Sequence, residues 1–213
     1  MHRQFLNIDE VMRNTRKYWY IDGIAEIIGG LFVSLLAITY LLISAIEHVL
    51  TRSLAYALGQ PLLILIGSFL INSIVTFLKQ RLTYPRTGYL SYKKPEGTRR
   101  LSRKWKVLIM GAITGVVVGT LSSLIPERFL PVICAFFIAL FSVYLGYYLG
   151  VPRFHIIACA TLLLGGSISY WVPPSMIAFS ALLGGIGCIW VLSGLYALLI
   201  YMRQTTPIQD RKI

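Results

Sequence analysis

The chain has 213 residues, 56% of them hydrophobic and only 13% charged, where a soluble domain carries about 25% charged residues. With a mean hydropathy of +0.71, this excludes a soluble globular fold, a disordered chain and a disulfide scaffold. The charges are lopsided, 20 Lys and Arg against 8 Asp and Glu for a formal net charge of +12, and a polytopic membrane protein is the class that remains.

Residues 1–22 read as a cytoplasmic amphipathic segment. Ile8, Val11, Met12, Thr15, Tyr18 and Trp19 recur at helical spacing, with Arg13, Arg16 and Lys17 between them. Such a helix lies in the headgroup plane or folds against the inner loops. A bilayer core of about 30 Å needs roughly 20 apolar residues as helix. Six runs meet that requirement, at about 23–46, 61–78, 107–124, 129–149, 156–172 and 176–202. The fifth is the shortest and calls for little tilt or a thinned bilayer. Each run must be helix, because unpaired backbone amides in hydrocarbon are too costly. The expected fold is therefore all-α, a polytopic bundle of six transmembrane helices preceded by an amphipathic helix and followed by a cytoplasmic tail, 203–213. The longest outer loop expected is Glu47 to Gln60.

Lys and Arg set the orientation. With the N-terminus inside, eighteen of the twenty fall on the inner side and only Arg52 and Arg128 outside. Both termini are thus expected in the cytoplasm of a cell membrane. The first apolar run is longer than a signal-peptide core, so it is expected to stay as an anchor. Trp19, Trp105 and Trp171 sit at predicted membrane borders, whereas Trp190 falls at mid-depth, where its indole N–H needs Ser193 or a carbonyl as partner. Cys134, Cys159 and Cys188 all lie within spans and read as small packing residues.

Three groups of residues stand out. Gly111, Gly115 and Gly119 form a doubled small-xxx-small groove on the third run. It suits packing against the fourth or sixth run, where Ser180, Gly184 and Cys188 make a comparable stripe; a homodimer is the alternative. Asp22 and Glu26 share one face at the start of the first run. Glu26 is deep enough to need a partner, and an acid–Arg clasp to Arg81 or Arg86 would tie the inner loop to that run; the alternative is a carboxylate that snorkels into the headgroups. Asn72 is the strongly polar residue nearest mid-depth of the second run, and no acid, His or Lys sits at the centre of any run. That argues against a proton-coupled pump but leaves open a pathway lined by Asn, Ser, Thr and broken backbone.

The inner loop 79–106 carries ten basic residues and one acid. Near an anionic leaflet each basic residue contributes about 1 kcal/mol, so the loop should be held to the inner surface. Interleaved Arg and Tyr can also stack and bind phosphate. Arg81, Tyr84, Arg86, Tyr89, Lys93, Lys94, Arg99 and Arg100 are the candidates for contact with anionic lipid or with a membrane or cytosolic protein partner. A nucleotide is disfavoured because there is no glycine-rich phosphate cradle, and nucleic acid is not an expected partner. Arg81-Leu-Thr-Tyr-Pro-Arg-Thr-Gly-Tyr89, together with Tyr18-Trp-Tyr-Ile-Asp-Gly-Ile-Ala-Glu26, resembles a pattern in uncharacterised prokaryotic integral membrane proteins. That resemblance covers the first half of the chain and implies a prokaryotic cytoplasmic membrane, but no activity.

His2, His48 and His155 fall in separate segments and form no metal set by spacing, and no nucleophile elbow or metalloprotease helix is present. No cofactor is expected. The expectation is a non-enzymatic membrane protein with a lipid- or partner-binding basic loop. A small transporter or channel component is the alternative, and an enzyme of lipid metabolism is a third class.

Overall fold

The computed structural model describes residues 20–83, 126–173 and 175–205, and these are helical with short connections. Helix α1 spans Ile24–Ser44. Helix α2 (Val49–Leu54) runs through a wide π-helical turn, Ala55–Gly59, into α3 (Gln60–Leu82). A 3-10 turn at Glu127–Phe129 leads into α4 (Leu130–Leu149), followed by α5 (Arg153–Trp171) and α6 (Met176–Gln204). Five of these segments are long and apolar enough to cross a membrane, with Val49–Leu82 counted as one, as in a multi-pass membrane protein. The stretch 107–124 with Gly111, Gly115 and Gly119, and the amphipathic segment before Tyr20, lie outside the described residues.

One expectation changes. The long outer loop at Glu47 to Gln60 is instead mostly helix, and only the short turn 45–48 separates α1 from α2. Val49–Leu82 has 34 residues, about 50 Å of helix at 1.5 Å per residue, which exceeds the hydrocarbon thickness. Arg52, Ser53 and Gly59 dilute the hydropathy of this stretch without ending the helix.

The helices pack antiparallel in a chain of neighbours. The most extensive contact is α1 with α6, then α4 with α5; α5 also meets α6, and α3 lies mainly against α1. The α1–α6 seam repeats every seven residues. Gly23 faces Gly194, Gly30 faces Gly187, and Ala37 accepts a 2.7 Å hydrogen bond from the Ser180 hydroxyl through its carbonyl. A Cβ on Gly187 would stand 2.2 Å from Ser34 Oγ and 2.7 Å from the Gly30 carbonyl oxygen, so the two backbones touch. Gly23 has a second reason to be glycine, its left-handed φ of 70°. A seven-residue repeat of small side chains keeps one seam facing its partner along the helices.

The α4–α5 hairpin uses the same principle. Ala135, Ala139, Ser142 and Gly146 are buried on α4 opposite Ala158, Thr161 and Gly165 on α5. Large apolar side chains such as Leu35, Phe69, Tyr147, Leu163 and Leu192 are exposed. Small residues lie inside and large ones outside, the arrangement expected where lipid is the solvent. Two apolar clusters fill the remaining space, one around Ala135, Leu182 and Ile186, the other around Leu149, Phe154 and Ile157.

Two expectations about packing residues need correction. Cys159 and Cys188 are exposed and only Cys134 is partly covered, because the α6 stripe that packs on α1 runs through Ser180, Gly187 and Gly194. The Trp190 indole N–H is buried with no hydrogen-bond partner among the described residues. Ser193, its expected acceptor, gives its hydroxyl to Glu26 instead.

The seam makes a direct prediction. Gly187→Ala should destabilise the protein by about 1–3 kcal/mol, the usual range for overpacking a tight contact. Gly166→Ala, where a Cβ meets nothing within 4 Å, should be neutral or slightly stabilising. Thermal unfolding of both variants in detergent checks this.

Candidate functional site

One end of the bundle gathers the start of α1, the ends of α3, α4 and α6, and the start of α5. Asp22 ends the turn before α1. Its Oδ1 accepts a 3.3 Å hydrogen bond from the Ile24 amide, which caps a helix start that has free N–H groups. Its Oδ2 takes the Lys79 ammonium at 2.8 Å and the Thr83 hydroxyl at 3.0 Å. Asp22 and Lys79 are buried to 0% and 2% side-chain exposure. Lys79 lies in the last turn of α3, where a cation also complements the helix dipole.

Glu26 lies one turn further along α1, in its first turn, the favourable place for an anion. Its Oε1 accepts from Arg153 Nε at 3.0 Å and also from Nη2. Its Oε2 accepts from the Ser193 hydroxyl at 3.1 Å. Arg153 Nη2 additionally donates to the Tyr20 carbonyl. Both oxygens of both carboxylates are thus engaged, and the first turn of α1 is tied to α3, α5 and α6 at once.

The sequence reading placed Arg81 or Arg86 opposite these acids; the structure places Lys79 and Arg153 there. Residues two apart on a helix point about 200° away from each other. An α3 that turns Lys79 toward α1 therefore turns Arg81 away, and the Arg81 guanidinium stacks on the Phe77 ring at 4.6 Å. Arg153 was legible only as the lone cation of the α4–α5 turn; no local pattern relates it to a glutamate 127 residues earlier. Nor does Glu26 snorkel, being 1% exposed. Of the candidate loop residues, Arg81 is exposed at the end of α3; Tyr84, Arg86, Tyr89, Lys93, Lys94, Arg99 and Arg100 lie outside the described residues. Asn72 is on the exposed face of α3, away from the α1 contact made through Gly67, Val75 and Lys79.

The far end has a smaller polar set. Arg128 donates to the carbonyls of Ser169 and Tyr170, and the Val132 amide donates to Ser169 Oγ, joining α4 to α5. Gln60, buried in the first turn of α3, donates to Thr39 Oγ1 at 3.0 Å, and the Tyr56 hydroxyl donates to the Tyr40 carbonyl. No group of three His, Cys, Asp or Glu suited to a metal ion occurs among the described residues.

Buried charges are expensive unless paired, so removing one member of such a pair costs about 3–5 kcal/mol, whereas replacing both with neutral groups is close to neutral. Lys79→Met alone should therefore destabilise strongly by leaving Asp22 unpaired. Lys79→Met with Asp22→Asn, which keeps an N-capping side chain, should recover most of the loss in detergent unfolding. No protein-family model, no curated protein and no solved structure matches the chain.

Proposed function

We propose that this chain is a non-enzymatic integral membrane protein whose basic inner loop binds the anionic lipid surface. The observation that carries the reading is the double hold of Asp22 on Lys79 and Thr83. These residues are the root from which the loop 84–106 departs, and their tie to α1 gives the eight basic residues of that loop a fixed base. The acids closest to that root are already neutralised by Lys79 and Arg153, so they leave the cationic charge of the loop uncompensated.

In this reading the chain crosses the membrane six times, with 107–124 as the additional span and its glycines packing against a neighbouring helix. Eighteen of the twenty Lys and Arg then share the cytoplasmic side, with both termini in that compartment of a cell membrane. The amphipathic segment 8–20 rests on the same surface. The positions of Lys79, Arg81, Arg153 and Arg203 at one end of the bundle, against Arg52 and Arg128 toward the other, support this orientation.

Two experiments test the reading. In a cysteine-free background, cysteines at position 90 and at the C-terminus should both resist an impermeant thiol reagent in intact cells and react after lysis; labelling of one alone would overturn the orientation. Replacing Arg86, Lys93, Lys94, Arg99 and Arg100 with Gln should lower the enrichment of phosphatidylglycerol over phosphatidylcholine around the reconstituted protein, with unfolding unchanged. Equal enrichment in variant and parent would refute the loop's role, and recovery of a cytosolic protein by the parent loop alone would move the assignment to a protein partner.

A further inference from the structure

Beside the Glu26–Arg153 pair lies a cavity of about 410 Å³, partly open to the outside of the bundle. Ile21, Arg153, Tyr196, Ile200, Gln204 and Thr205 line it. It sits where α1 and α5 begin and α6 ends, the level of the headgroups for helices that cross the bilayer. Arg153 uses Nε and Nη2 on Glu26 and the Tyr20 carbonyl. Its Nη1 has no hydrogen-bond partner among the described residues, and neither have the Tyr196 hydroxyl or the Gln204 amide. Among the described residues the lining therefore offers three donors and no carboxylate. Tyrosine is favoured at this depth because one end of it is apolar and the other wet.

From the cavity wall, Ile200 and Tyr196 continue to Leu192 at four-residue spacing on the exposed face of α6, at 36%, 67% and 67% exposure. Residues so spaced share a helix face. They form an apolar strip that leads from the donors toward the middle of the membrane.

We propose that this cavity holds the phosphodiester head of one membrane glycerophospholipid, with an acyl chain laid along the Leu192–Tyr196–Ile200 strip. Guanidinium N–H groups suit phosphate oxygens, and the strip supplies what a free anion would not use. The Arg153 charge is already balanced by Glu26, so the site reads phosphodiester oxygens rather than net headgroup charge. It takes zwitterionic and anionic lipids alike. This separates it from the basic loop, which discriminates by charge, and the site stands whether or not the loop binds lipid.

The test is native mass spectrometry of the full chain purified in mild detergent with phosphatidylcholine or phosphatidylglycerol. One tightly retained lipid is expected with either. Arg153→Lys keeps a cation for Glu26 but removes the spare N–H arm; Ile200→Trp fills the cavity at an exposed position. Each should lower the retained fraction about tenfold, the scale of one charge-assisted hydrogen bond. Ile200→Trp should leave unfolding little changed. Arg153→Lys also gives up the two-armed hold on Glu26 and the bond to the Tyr20 carbonyl and should lower stability, so Ile200→Trp is the deciding variant. The Gln-substituted loop variant should retain the lipid. Undiminished retention in Ile200→Trp overturns the site. Retention of phosphatidylglycerol alone, or loss in the loop variant, assigns the lipid to the loop and overturns it too. Displacement by inorganic phosphate alone would mark a free-anion site and overturn the lipid assignment.

Discussion

Two helices side by side in hydrocarbon gain nothing by hiding leucines from each other, since lipid tails are as apolar as the side chains. Association must come from close backbone packing and from polar groups that lipid cannot satisfy. The α1–α6 seam supplies both. Gly23 against Gly194 and Gly30 against Gly187 bring the backbones into contact, Ser180 bonds the Ala37 carbonyl, and Ser193 bonds Glu26. The other helices are arranged around this pair, with α3 on the α1 side and the α4–α5 hairpin reached through α5.

The seam also explains where the charges go. With α6 so close, Glu26 on the first turn of α1 is shut off from water and must find a cation, which Arg153 provides from the start of α5. Asp22 faces the same problem across α3 and is met by Lys79. Both pairs occur where helix dipoles favour the acid at a helix start, and in the case of Lys79 the base at a helix end. Their isolated worth is small because desolvation offsets attraction, but losing one partner is costly. They therefore act as a specification of which helix ends meet, more than as a source of stability.

That specification has consequences for what the chain can present to its surroundings. Fixing Lys79 and Thr83 fixes the point at which the basic loop leaves the bundle. Fixing Arg153 sets its guanidinium at the edge of a cavity beside the end of α6. In both places the membrane end of the bundle, rather than its interior, offers groups that a ligand could satisfy. The interior between the described helices is packed with small residues and holds its carboxylates in complete hydrogen-bonded pairs.

Much of the fold could be read from composition and spacing. Five apolar runs are helices, four of them close to the expected bounds and the second extended to Val49–Leu82, because hydrocarbon permits no other local answer for 17 or more apolar residues. The depth of Glu26 announced a required partner for the same reason. What could not be read was the partner. Lys79 and Arg81 are equally basic and two residues apart, and only the rotation of α3 against α1 decides which of them meets Asp22. Glu26 with Arg153, and Gly30 with Gly187, are joined across more than a hundred residues of chain. Local sequence determines whether a segment is helix and which residues share its face. Which face meets which is settled by the three-dimensional fit of neighbouring helices, an energy that no single helix carries.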